Sequence, residues 1–119
     1  RPVLLIAEDT DSNYLLWSLM LKKEYEVIRA GNGEEAVRLC EQVQPDAVLM
    51  DIQMPVMDGL KATRQIRGNG SHVPIIAVTA YAYDRDRQKA LEAGCNEYLA
   101  KPLTGDTLRQ TLRRLLSGE

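Results

Sequence analysis

Five times along this chain a short strand-like apolar segment gives way to a longer stretch in which apolar residues recur every three or four positions. Val3-Leu4-Leu5-Ile6-Ala7, Ala47-Val48-Leu49-Met50, Ile75-Ile76-Ala77-Val78 and Tyr98-Leu99-Ala100 are continuous apolar runs bounded by turn signals. That is the pattern of strands covered on both faces of a parallel sheet. Val27-Ile28 begins a shorter strand. The intervening stretches have helical spacing. After the polar turn Thr10-Asp11-Ser12, Leu15, Leu16, Leu19 and Met20 share one face; Ala36, Val37 and Cys40 follow the turn Gly31-Asn32-Gly33. A helix through Ala62 and Ile66 is ended by Gly68-Asn69-Gly70, and Pro74 opens the next strand. Asp84 to Ala93 reads as helix closed by Gly94, and Leu108, Leu112, Leu115 and Leu116 give the last helix one buried face.

Five strand–helix units with short connections predict an α/β fold, with right-handed crossovers and helices on both faces of the sheet. The flavodoxin-like, doubly wound order 2-1-3-4-5 suits five parallel strands, and residues 1–119 are expected to form one domain. Strands 1 and 3 then flank the switch point, where ligands bind outside the carboxyl ends of the strands. There is no internal repeat, linker or low-complexity tract.

The strand ends carry the chemistry. The first run ends on Glu8-Asp9, the third on Asp51, the fourth on Thr79 and the fifth on Lys101-Pro102. Three carboxylates, a hydroxyl and an ammonium are thereby expected at one edge. Like charges about 4 Å apart cost roughly 4 kcal/mol per pair at an effective dielectric near 20. Lys101 cannot balance three negatives, so a bound cation or a proton must. An open site of hard oxygen ligands favours Mg²⁺, which bridges carboxylate to phosphate. A carboxylate beside such an ion can attack phosphorus, and phosphoryl transfer then needs little beyond positioning and charge neutralisation.

Bulk properties narrow the field. The 119 residues are 45% hydrophobic and 27% charged, as in globular proteins, and the net charge of −2 gives no reason to expect nucleic-acid binding. No run approaches the length of a membrane span and no signal peptide opens the chain, so no direct membrane insertion is expected. Arg1 in place of Met suggests a piece of a longer polypeptide. Cys40 on the second helix and Cys95 at the start of the fifth strand should stay reduced, which suits a cytoplasmic setting.

The residues Glu8-Asp9, the run Met50-Asp51-Ile52-Gln53-Met54-Pro55-Val56-Met57-Asp58-Gly59, Val78-Thr79-Ala80 and Ala100-Lys101-Pro102 together resemble the receiver domain of two-component response regulators, over essentially the whole chain. The central run is most similar to receivers fused to hybrid sensor histidine kinases. The resemblance implies that Asp51 accepts phosphate from the phosphohistidine of a histidine kinase or histidine phosphotransfer domain. It implies Mg²⁺ held by Glu8, Asp9, Asp51 and the main-chain carbonyl of Gln53, with Thr79 and Lys101 holding the phosphoryl group and a cis Lys101-Pro102 bond. Tyr98 matches the switch aromatic, which turns with Thr79 and biases the surface of helix 4, strand 5 and helix 5. Such a domain catalyses its own phosphorylation and slow dephosphorylation and does not turn over small substrates. Parentage in a sensor kinase would tether it to the membrane. Glu8 in place of the family's Asp bears on metal affinity. Gln53 and bulky Tyr81 flank the path of the hydrolytic water and predict a long-lived acyl phosphate. Tyr14 and Trp17 are candidates for partner docking or for packing, and Arg109, Arg113 and Arg114 for a partner, a homodimer contact or a solvated face.

Other readings have less support. A haloacid-dehalogenase-like phosphatase needs a second Asp two residues after the nucleophile, where this chain has Gln53. A receiver-like module without phosphorylation would have no use for Asp51, Thr79 and Lys101 together. Gly31-Asn32-Gly33-Glu34-Glu35-Ala36 matches a dinucleotide fingerprint but follows the second strand, and no P-loop motif occurs. His72, the single histidine, lies in a glycine-rich loop and is no credible phosphate carrier.

Overall fold

The computed structural model describes residues 1–80 and 84–117. Among these residues ten elements alternate, strand then helix: β1 (Val3–Ala7), α1 (Asp11–Leu21), β2 (Glu26–Ala30), α2 (Gly33–Val43), β3 (Ala47–Asp51), α3 (Gly59–Gly68), β4 (Ile75–Thr79), α4 (Asp84–Ala93), β5 (Glu97–Ala100) and α5 (Gly105–Ser117). All strand pairs are parallel, in the expected order β2-β1-β3-β4-β5. The register sets Ala7 opposite Met50, and Asp51 opposite Val78, so β1, β3 and β4 end together.

Strand side chains alternate between faces, and each face is apolar because each is covered. Leu5, Ala7, Val48, Met50, Ile75 and Ala77 pack beneath α2, α3 and α4, against Ala36, Cys40, Ala62, Ile66 and Ala90. Leu4, Ile6, Leu49, Ile76 and Val78 pack against Trp17 and Leu21 of α1 and Leu108 and Leu112 of α5. Local signals start the helices: Asn32 accepts a hydrogen bond from the Glu35 amide at 2.8 Å, and Asp58 from the Lys61 amide at 2.9 Å.

Three expectations change in detail. Leu15, Leu16 and Leu19 do share a face of α1, but they are 57%, 50% and 51% exposed. Trp17 and Leu21 form the buried face, with Tyr14 and Met20 at its margin. Helical spacing alone does not say which of two apolar faces meets the sheet, and the bulkier Trp17 takes the interior. Cys95 precedes β5, which begins at Glu97. Cys40 and Cys95 are both free and buried in the same layer, and burial pushes the Cys40 thiol up to about 11. The arginines of α5 are engaged within the chain: Arg109 with Asp106 and the Met20 carbonyl, Arg113 with Glu24, and Arg114 with Glu97.

At the opposite rim from the strand carboxyl ends, Arg67 ties three segments together. Its guanidinium donates to the Gly94 carbonyl at 3.0 and 2.9 Å, to the Ser71 carbonyl at 3.2 Å and to Asn96 Oδ1 at 2.9 Å. Exposed His72 lies on this rim too, beside a cleft of about 600 Å³ between α2 and the α3–β4 loop, remote in the fold from the strand-end acids.

Candidate phosphoacceptor site

Asp51 is the last residue of β3 and is 1% exposed. Its Oδ1 accepts a hydrogen bond from the Gln53 amide at 3.0 Å, and its Oδ2 lies 3.1 Å from Lys101 Nζ. The backbone behind it is tightly packed. The Gly59 amide donates to the Ile52 carbonyl at 2.9 Å, and a Cβ on Gly59 would stand 2.4 Å from the Asp51 carbonyl oxygen. Any larger residue there would displace the acceptor strand. The same loop touches α2, where the Gly33 amide donates to the Met57 carbonyl at 3.1 Å.

Glu8 and Asp9 directly follow β1, which ends at Ala7. Glu8 is fully buried: its Oε1 accepts from the Thr10 amide at 3.2 Å and from Asn13 Nδ2 at 3.1 Å. Its Oε2 has no hydrogen-bond partner among the described residues and lies 3.9 Å from Lys101 Nζ. Asp9 is exposed. One carboxylate oxygen from each of Glu8, Asp9 and Asp51 lies within 4.8 Å of the others.

Electrostatics match this crowding. Burial pushes the Glu8 carboxyl up to about 7, the Asp51 carboxylate adds to the rise, and Asn13 and Lys101 oppose it. An orphaned buried oxygen in a ring of hard oxygen donors fits a divalent cation such as Mg²⁺. The longer arm of Glu8, compared with Asp, is folded inward to the Asn13 amide.

Thr79 closes β4 and is 3% exposed, and its carbonyl accepts from the Lys101 amide at 2.7 Å. The phenol of half-buried Tyr98 is raised by burial and by the Asp86 carboxylate, against a hydrogen bond with Thr79 that lowers it. The Lys101-Pro102 bond is cis. Tyr81 lies outside the described residues.

Three contacts of the site were not read from the sequence. Asn13 orients Glu8. Trp17, buried under the site, carries Lys101 Nζ 5.5 Å above its ring. Arg29 of β2 donates to the carbonyls of Glu8 and Asp9 at 3.2 and 3.3 Å. A lone cation in the run Val27-Ile28-Arg29-Ala30 was the only hint of that contact.

Comparison with known proteins agrees with this geometry. Residues 4–113 match the family model of the response regulator receiver domain. The chain is 36% identical over 115 residues to the polar-differentiation response regulator DivK of Brucella anthropi, covering 94% of each. Among solved structures it is similar to the receiver domain of a sensor histidine kinase of Pseudomonas aeruginosa PAO1. That likeness has 43% identity, a TM-score of 0.90 and 98% coverage of both chains, and that structure has a magnesium ion coordinated in its active-site cleft. The Vibrio cholerae chemotaxis protein CheY4 superposes with a TM-score of 0.91 at 29% identity, over 97% of this chain and 98% of that one. The strand order, the clustered acids and these likenesses converge: this chain belongs to the response regulator receiver family of two-component signalling.

Proposed function

We propose that residues 1–119 act as one phosphoacceptor domain in which Asp51 is the nucleophile. The donor is the phosphohistidine of a histidine kinase or histidine phosphotransfer domain. An Asp51 carboxylate oxygen attacks phosphorus, the P–N bond to the donor imidazole breaks, and the imidazole leaves with its electron pair and takes up a proton. The observation that carries this reading is Asp51 itself, a buried carboxylate held from both sides by the Gln53 amide and Lys101 at the open end of the sheet.

Glu8, Asp9, Asp51 and the Gln53 carbonyl would hold Mg²⁺, which supplies positive charge against the incoming phosphoryl oxygens. Lys101 stays beside the carboxylate it already pairs with and neutralises one phosphoryl oxygen; the Thr79 hydroxyl donates to another. Drawing Thr79 toward phosphate weakens its bond with Tyr98 and releases the ring. That shift biases the α4–β5–α5 surface between two arrangements. Leu15, Leu16 and Leu19 form the donor's docking stripe, an apolar strip that nothing in the chain covers among the described residues.

Intact-mass analysis after incubation with acetyl phosphate and Mg²⁺ tests the reading. One added phosphoryl group, lost in Asp51→Asn, is expected. Labelling that survives Asp51→Asn, or multiple turnover of a small phosphomonoester, overturns it.

A further inference from the structure

Arg29 sits on the edge strand β2, opposite Ile6 of β1, and among the described residues its hydrogen bonds and ion pair go to none of the side chains of the acidic cluster. All three of its guanidinium nitrogens are nonetheless committed to the loop that presents them. Nε donates to the Glu8 carbonyl at 3.2 Å, Nη2 to the Asp9 carbonyl at 3.3 Å, and Nη1 pairs with Asp11 Oδ1 at 2.8 Å. The guanidinium also lies 4.8 Å from the ring centroid of Tyr14, which backs it from α1. A planar fork fixed by three partners and a ring is a rigid brace, and lysine cannot reproduce it.

The brace matters because of Asp9. Its carboxylate is exposed and makes no hydrogen bond or ion pair among the described residues. Glu8 is oriented by Asn13 and the Thr10 amide, but among the described residues no such bond orients Asp9. What brings its oxygen within 4.8 Å of Asp51 is the course of the backbone, and the backbone is what Arg29 grips.

We infer that Arg29 is a positioning residue that holds the Glu8-Asp9 loop in the geometry required to bind a divalent cation. The inference rests on the reading of Glu8 and Asp9 as ligands of that cation. It makes a prediction of sign. A guanidinium acting only through its charge would repel the ion, so removing it would tighten binding. A brace does the opposite, since losing the groups that orient metal ligands weakens affinity about 10- to 100-fold.

The test is a MgCl₂ titration of wild type, Arg29→Ala and Arg29→Lys, followed by Trp17 fluorescence and by calorimetry. Amide exchange of residues 8–11 is measured alongside. The expected result is a dissociation constant raised about tenfold in Arg29→Ala and raised also in Arg29→Lys, with faster exchange in the loop. Labelling by acetyl phosphate should return toward wild type at high Mg²⁺. Unchanged or tighter Mg²⁺ binding in Arg29→Ala overturns the inference, even if its melting temperature falls. If Arg29→Ala does not fold, Arg29→Lys with wild-type affinity overturns it equally. A wild-type protein that binds no Mg²⁺ instead overturns the reading of the site.

Discussion

Lys101 and Trp17 meet beneath the phosphoacceptor site, with the ammonium 5.5 Å above the indole ring and 3.1 Å from Asp51 Oδ2. The lysine is thus held from below by a π-face and from the side by a carboxylate. Replacing it with methionine leaves the acidic cluster without this cation. Lys101→Met should destabilise the metal-free protein by about 2 kcal/mol, below the full cost of breaking a buried pair because the lysine is partly exposed. The loss should shrink when Mg²⁺ is added, and Trp17 emission should shift. Urea unfolding with and without Mg²⁺, read by fluorescence, checks both.

Glu8 links stability to pH. Its carboxyl is raised from an ordinary 4.5 to about 7, so the folded, metal-free protein holds that proton more tightly than the unfolded chain does. The stabilisation is fully present below about 4.5 and is lost as pH rises through about 7. Mg²⁺ must displace the proton, so its affinity should climb across the same window. Glu8→Gln, permanently neutral, should flatten the stability profile and weaken Mg²⁺ binding. Melting curves from pH 4 to pH 8, with chelator and with Mg²⁺, measure it.

Val56 carries a backbone strain that can be relieved. The Met57 amide donates to the Pro55 carbonyl at 2.7 Å, a three-residue turn that places Val56 at φ 69° with its side chain 76% exposed. A β-branched residue there costs about 1–2 kcal/mol. Val56→Gly loses little packing, so it should stabilise the protein by about 1 kcal/mol net of the added chain entropy. Chemical denaturation is the measurement, and a loss of stability would mean that the turn is held by contacts of the valine itself.

The leucine stripe of α1 separates docking from chemistry. Leu15→Ser and Leu19→Ser remove half-exposed side chains, so each should change stability by less than about 0.5 kcal/mol. Labelling by acetyl phosphate should stay as in wild type. Transfer from a phosphohistidine protein should slow by about fivefold, as expected from losing roughly 1 kcal/mol of apolar burial per anchor. Equal rates from the protein donor would place docking elsewhere.

The architecture was legible because a parallel sheet writes itself as uninterrupted apolar runs, each ended by the residue that matters. Glu8, Asp9, Asp51, Thr79 and Lys101 could all be named from strand ends alone. The orientation of α1 was not legible, since its leucines and its Trp17–Leu21 face are both apolar and only packing chooses between them. Nor were the cross-element contacts. Arg29 reaches the Glu8-Asp9 loop because β2 pairs with β1 in one register, setting Arg29 opposite Ile6. Trp17 lies under Lys101 because Trp17 of α1 and Leu99 of β5 join one apolar cluster on that face of the sheet, which no local pattern announces.

Arg67 gives the molecule a fixed end and a free one. Its four hydrogen bonds knot the α3–β4 turn, the end of α4 and the approach to β5, so the lower rim cannot open without stranding a half-buried guanidinium. Across from it, the buried apolar side chains that α4 offers among the described residues are Ala90 and Ala93, small groups that bury little surface. A helix tied at its C-terminal end and lightly seated along its length is built to pivot there, so a small displacement near Thr79 is expected to become a larger one where α4 begins.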